Sequence, residues 1–276
     1  MAALSVETIL YLLLLLAVSG IVVGFLSGLF GIGGGGILVP VLFETFRIMG
    51  VDESIRMHMA VGTALAAMVP TTIASYRSHL KRGNVDVGII RRMAVPVVLG
   101  VVVGSVIAKF SPGVVLTVIW VVVGSFMAIK QFAGTGSLSL GDDVPKSWGL
   151  EAYGMVVGVL STLMSVGGGA FVTTMMTLYK RPIQQAVGTS SGFGPIIALP
   201  GIIGFIWAGW SVTGTPPGTL GYVSFLSAAC MVPFGVLAAP WGARVAAGMS
   251  RRSLEIGFGI FMTVVVLKFI ADLTII

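Results

Sequence analysis

Ten apolar stretches run along the chain, five on each side of a polar linker from Ala133 to Gly149. In the first half they cover about Thr8–Phe30, Gly35–Ile48, Ile55–Tyr76, Met93–Lys109 and Pro112–Phe132. In the second half they cover about Leu150–Val166, Ala170–Leu178, Gln184–Trp207, Leu220–Ala239 and Leu254–Ile270. A helix needs about 20 apolar residues to cross a hydrocarbon core of about 30 Å. Most of these stretches are long enough, and none shows the period-two alternation of an outer-membrane barrel. The pattern therefore predicts an all-α polytopic membrane protein. The second stretch of each half is too short to cross comfortably. It reads as a half-helix, a re-entrant arm, or a tilted span extended by its neighbours.

Two glycine tracts interrupt the apolar pattern at matching places. Gly24-Phe25-Leu26-Ser27-Gly28-Leu29-Phe30-Gly31-Ile32-Gly33 aligns without a gap on Gly158-Val159-Leu160-Ser161-Thr162-Leu163-Met164-Ser165-Val166-Gly167, 134 residues on. The match continues through Gly34 and Gly35 to Gly168 and Gly169. Ala60-Val61-Gly62-Thr63-Ala64 recurs as Ala186-Val187-Gly188-Thr189-Ser190, and Val95-Pro96 as Val232-Pro233. The chain thus reads as a duplication: residues 1–132 a first transmembrane repeat, 133–149 a linker, and 150–276 a second repeat. Broken helices at corresponding places in two halves are the sequence pointer to a transporter site near the bilayer midplane.

Charge sets the expected relation between the halves. Between stretches three and four the first half carries Arg77, Lys81, Arg82, Arg91 and Arg92, whereas residues 208–219 of the second half carry no Lys or Arg. Between stretches four and five the bias reverses, with Lys109 in the first half and Arg244, Arg251 and Arg252 in the second. Loops rich in Lys and Arg face the cytoplasm. Equivalent loops are therefore expected on opposite sides, which makes the repeats inverted, with both termini outside and the linker cytoplasmic. The chain is 56% hydrophobic and 9% charged, against roughly 25% charged in soluble domains. A net charge of +6 lying in loops gives no support to nucleic-acid binding. The N-terminus has no positive charge before its apolar run, so a cleaved signal peptide is not expected.

The candidate chemistry is anion binding. A helix that starts after a glycine tract begins with free N–H groups and the positive end of its dipole, and glycine lets the backbone approach a ligand without a Cβ in the way. Candidate contacts are Gly33, Gly34 and Gly35 in the first tract and Ser165, Gly167, Gly168 and Gly169 in the second. Gly62, Thr63, Gly188, Thr189 and Ser190 could add hydroxyls and a close backbone. The alternative for the tracts is close helix packing, and for the threonines a bond to their own helix backbone. His58, one turn before Gly62, could bind the anion when protonated or pass a proton; its alternative is an interfacial, hydrogen-bonded histidine. No catalytic constellation or metal cluster stands out, and no cofactor is implied. Cys230 is the single cysteine, which excludes an internal disulfide. The tract Gly31–Gly36 has no preceding strand and no following Gly-Lys-Ser/Thr, so it does not read as a nucleotide loop.

The glycine-tract motif, its copy, and the Ala-Val-Gly-Thr openings together resemble the sulfite exporter TauE/SafE family, from about Leu13 to Leu267. The resemblance implies transport of sulfur-containing anions, sulfite or organosulfonates, across the cytoplasmic membrane, with the glycines and Gly-Thr pairs at the family's motif positions. The second tract departs from the first in having Ser165 for Gly31 and Ala170 for Gly36. The expectation is a secondary transporter working by alternating access, embedded in a lipid bilayer with a small anionic substrate. An anion channel with a continuous pore is the alternative.

Overall fold

The computed structural model describes residues 6–30, 35–133, 141, 144 and 148–275. Each expected apolar stretch is a helix. In chain order they are α1 (Val6–Phe30), α2 (Gly35–Ile48), α3 (Glu53–Lys81), α4 (Val87–Phe110), α5 (Gly113–Ala133), α6 (Trp148–Met164), α7 (Gly169–Leu178), α8 (Ile183–Ala208), α9 (Phe225–Ala247) and α10 (Arg251–Ile275). Seven of them are long and apolar enough to cross a membrane. The chain is an all-α, multi-pass membrane protein. The expected boundaries need two corrections. Residues 220–224 are not helical but belong to a hairpin, β1 (Thr219–Leu220) with β2 (Val223–Ser224). Arg77, Lys81, Arg91 and Arg92 lie within α3 and α4 rather than in a loop, because long cationic side chains can leave an apolar helix end and reach water.

Polar side chains start several helices. The Asp52 carboxylate accepts the Ser54 N–H at 2.9 Å, and hydrogen bonds from Ser54 hold that carboxyl below its ordinary pKa. Asp86 accepts the Ile89 N–H at 3.1 Å to open α4, and the Ser224 hydroxyl accepts the Ser227 N–H at 3.3 Å to open α9. These caps satisfy N–H groups that have no acceptor in the first turn.

Small residues decide which helices meet. A Cβ on Gly20, Gly24 or Gly28 of α1 would stand 2.4, 2.1 and 2.0 Å from the carbonyl oxygens of Met231, Gly235 and Ala239 of α9. The contacts ascend together, so α1 and α9 run parallel with backbones touching. The same construction recurs between α6 and α4: Gly158 lies against Val97 and Gly100, and Gly104 against Val159 and Thr162. In lipid, where helices gain nothing from hiding apolar surface, close van der Waals approach of this kind is the main attraction. α3 and α8 cross antiparallel through the centre, with Gly201 against Leu65, Gly194 against Thr72 and Gly192 against Tyr76. α5 and α10 also run antiparallel, Gly124 against Val266 and Gly259 against Phe132.

The Gly-Thr pairs pin the two halves together. Gly62 packs on the Tyr222 carbonyl, and the Thr63 hydroxyl accepts the Ser224 N–H at 3.0 Å. Gly188 packs on the Asn84 carbonyl, and the Thr189 hydroxyl accepts the Asp86 N–H at 2.8 Å. Each third helix thereby holds the residue that caps the fourth helix of the other half.

Candidate functional site

The second glycine tract breaks the chain between α6 and α7. Val166 N–H bonds back to the Ser161 carbonyl at 3.2 Å, and Ser165, Gly167 and Gly168 take φ of 54°, 67° and 73°. Glycine enters this left-handed region at little cost, whereas Ser165 is held there by its surroundings. Gly168 is the N-cap of α7 and offers no side chain to its first turn, so the amides of Gly169, Ala170 and Phe171 lack intrahelical acceptors. Gly167, Gly169, Ala170 and Phe171 face a cavity. From the first tract, Gly35 packs against the back of this break: a Cβ there would stand 2.2 Å from the Ser165 carbonyl oxygen and 2.8 Å from Val166 Cα. Gly31, Ile32, Gly33 and Gly34, the rest of the first tract, lie outside the described residues.

The cavity holds about 1180 Å³ and extends from the break along the C-terminal parts of α1, α3, α5 and α9. Its charged or titratable lining consists of Lys130, His79 and Tyr153, and no carboxylate lines it among the described residues. Lys130 comes from the last turn of α5 and donates to the Thr174 hydroxyl, which donates onward to the Ala170 carbonyl at 2.6 Å. Thr173 donates to the Ser190 hydroxyl at 2.9 Å, and Ser190 to the Val187 carbonyl at 2.9 Å. Tyr153 OH donates to the Phe171 carbonyl at 2.8 Å. Ser27 also faces the cavity, and its buried hydroxyl has no partner among the described residues. A cation, a helix N-terminus and several hydroxyls thus share one water-accessible space with no opposing carboxylate. Such a set favours a negative solute.

The sequence profile described as "Sulfite exporter TauE/SafE" matches residues 16–269. The chain belongs to that family. It is 30% identical over 261 residues to a Haemophilus influenzae protein named "Probable membrane transporter protein", covering 93% of this chain and 97% of that one. A Methanocaldococcus jannaschii protein with the same description is 28% identical over 256 residues, covering 90% and 91% of the two chains. No solved structure matches the chain significantly. Family membership and these relatives make the chain a membrane transporter.

Within this TauE/SafE chain the expected site residues fall into three groups. Gly167, Gly169 and Ser190 line the cavity. Ser165, Gly168 and Gly35 form the break and its backing rather than the wall. Gly62, Thr63, Gly188 and Thr189 lie outside the lining, at the two ends of the α3–α8 pair. His58 also lies outside it. Its ring is 2% exposed, donates from Nε2 to the Ala108 carbonyl at 2.9 Å, and stacks on Tyr222 at 4.7 Å between centroids. Sequence reasoning missed Lys130, Thr173 and Thr174. Lys130 stood close to the end of a 21-residue apolar helix, where a lysine reads as reaching out to the interface. The available signal was the cost of at least ~2.5 kcal/mol for a cation at membrane depth, which asks for a functional reason.

Proposed function

We propose that this TauE/SafE chain is a secondary transporter of small sulfur-containing oxyanions, sulfite or organosulfonates, across the cytoplasmic membrane. The anion sits beside the α7 N-terminus, held by its free amides, by Lys130 and by the hydroxyls of Thr173, Thr174 and Ser190. One observation carries the reading: the cavity at the glycine break has a lysine in its wall and no carboxylate among its described lining. A partly buried helix N-terminus contributes up to ~2 kcal/mol to anion binding. That strength, added to one cation, suits a carrier that must release its cargo. The sulfur chemistry of the substrate comes from the family description alone.

Alternating access by two inverted halves is the proposed mechanism, residues 1–132 against 150–276. Its support is the exchange of equivalent contacts: α1 with α9 against α6 with α4, and Thr63 with Ser224 against Thr189 with Asp86. The antiparallel course of α3 and α8 fits the same scheme. In this scheme the cavity mouth and the linker face the cytoplasm and both termini lie outside, as the lysine and arginine bias suggests. Proton coupling through His58 is the part of the scheme that the geometry supports least, since its ring is committed to Ala108 and Tyr222.

The test is flux in proteoliposomes with sulfite and with organosulfonates. Saturable uptake that shows counterflow supports the carrier. Single-channel currents would instead support the pore, and binding of neither anion class would sink the substrate reading.

A further inference from the structure

Lys268 on α10 is the counterpart of Lys130 on α5. The two helices pack antiparallel, Trp120 edge-on to Phe269 at 5.4 Å between centroids. Beyond that contact each lysine reaches the short helix of the other half. Lys130 bonds Thr174 on α7, whereas Lys268 ion-pairs with Glu44 on α2. The two lysines differ in what faces them. Lys130 has a neutral hydroxyl and the cavity. Lys268 has Glu44 and, at 3.8 Å, Asp272, while Glu44 also pairs with Arg47 at 2.9 Å. The charges of Lys268, Arg47, Glu44 and Asp272 therefore cancel as a set.

Space is distributed in the same unequal way. The helical rise of 1.5 Å per residue places Trp120, and with it the Lys268 contact, about 15 Å along α5 from Lys130. There the void beside Asp272 and Thr117 is only about 20 Å³, against about 1180 Å³ at the Lys130 end. The closed end of the molecule is the end where the lysine is neutralised.

We infer that Glu44 is an internal substitute for the transported anion, occupying Lys268 while the cavity is open at the Lys130 end. Separating Glu44 from Lys268 is then the step that opens the opposite end. Lys268 and Glu44 are part-exposed, at 35% and 30% of their side chains, and a lysine without a counter-ion at membrane depth is costly, so the pair parts as water or an incoming anion replaces Glu44. An anion arriving there competes with the carboxylate and, by binding the open state better, raises its population. This inference rests on the carrier reading above, with the anion as its cargo.

The experiment reads accessibility without transport. In a Cys230→Ala background, which removes the one native thiol, a Thr117→Cys reporter is placed in the closed end, where Thr117 is 6% exposed. The full-length protein in liposomes is treated with a membrane-impermeant maleimide. Glu44→Gln is expected to raise the labelling rate about tenfold, within the usual range of a coupling between two states. Glu44→Asp keeps the counter-ion of Lys268 and holds the rate near the parental one. Millimolar sulfite accelerates labelling of the parental protein and has little further effect on Glu44→Gln. Parental labelling in Glu44→Gln, or labelling of Glu44→Asp as fast as that of Glu44→Gln, overturns the inference. Should Glu44→Gln fail to fold, Asp272→Asn gives the same readout, with a smaller rise expected and no rise counting against the latch. Labelling that responds to Glu44→Gln without any anion flux would keep the latch and remove the carrier. Saturable flux with no labelling response would do the reverse.

Discussion

The Thr63 hydroxyl accepts the backbone N–H of Ser224 at 3.0 Å, joining residues 161 positions apart. Its repeat partner, Thr189, does the same for Asp86 at 2.8 Å. Both threonines are fully buried, as is Ser224, so the Thr63 bond satisfies a buried amide, whereas Asp86 is half-buried. The Gly-Thr pairs thus act at the seams between halves, and the glycine in each removes the Cβ that would keep the strand of backbone away.

Thr63→Val keeps the shape and removes the acceptor. The buried Ser224 N–H is then unsatisfied, at a cost of about 1–3 kcal/mol. Thermal unfolding in detergent should show both Thr63→Val and Thr189→Val destabilised, the second by less because Asp86 is half-buried, with Thr→Ser at either position close to wild type. Wild-type stability of both valine variants would count against the seam.

Gly24 and Gly36 separate packing from permissiveness. A Cβ at Gly24 would lie 2.1 Å from the Gly235 carbonyl oxygen, whereas one at Gly36 meets nothing within 4 Å. Gly24→Leu must push α1 off α9 and is expected to cost about 3 kcal/mol or more. Gly36→Ala is expected to be neutral or to stabilise by up to about 1 kcal/mol through helix propensity. Size-exclusion behaviour and apparent melting temperature would distinguish them.

Lys130→Gln removes the cavity's lysine charge while leaving a group able to reach Thr174. A hydrogen bond to a charged group is worth about 1.5–3 kcal/mol, so kcat/KM for anion transport should fall about 10- to 100-fold. Lys130→Arg should retain most of it. Equal transport by the glutamine variant would move the anion elsewhere in the cavity.

His58→Gln loses the stack on Tyr222 and the bond to Ala108. The expected result is reduced stability, by about 1–3 kcal/mol, with the pH profile of transport unchanged. A displaced profile would return His58 to a coupling role.

Helix positions were legible because hydrophobicity and length alone decide what lies in a membrane, and α2 even begins and ends where its pattern does. The hairpin at residues 219–224 was not, since Leu220, Tyr222 and Val223 are as apolar as a helix start. Nor could the pattern show that Gly28 and Gly36 differ, because a glycine looks the same whether a carbonyl or open space faces it.

Taken alone, the sequence determined the ten helical segments and the break between α6 and α7, because apolar run length and glycine are local properties. The tertiary structure alone decided what each repeated motif touches. It brought Gly167, Gly169 and Ser190 to a cavity with Lys130, sent Thr63 and Thr189 to the seams, and paired Lys268 with Glu44. The physical reason is that a side chain's role depends on which groups face it across the bundle, and those partners come from other helices, some of them more than a hundred residues away in the chain.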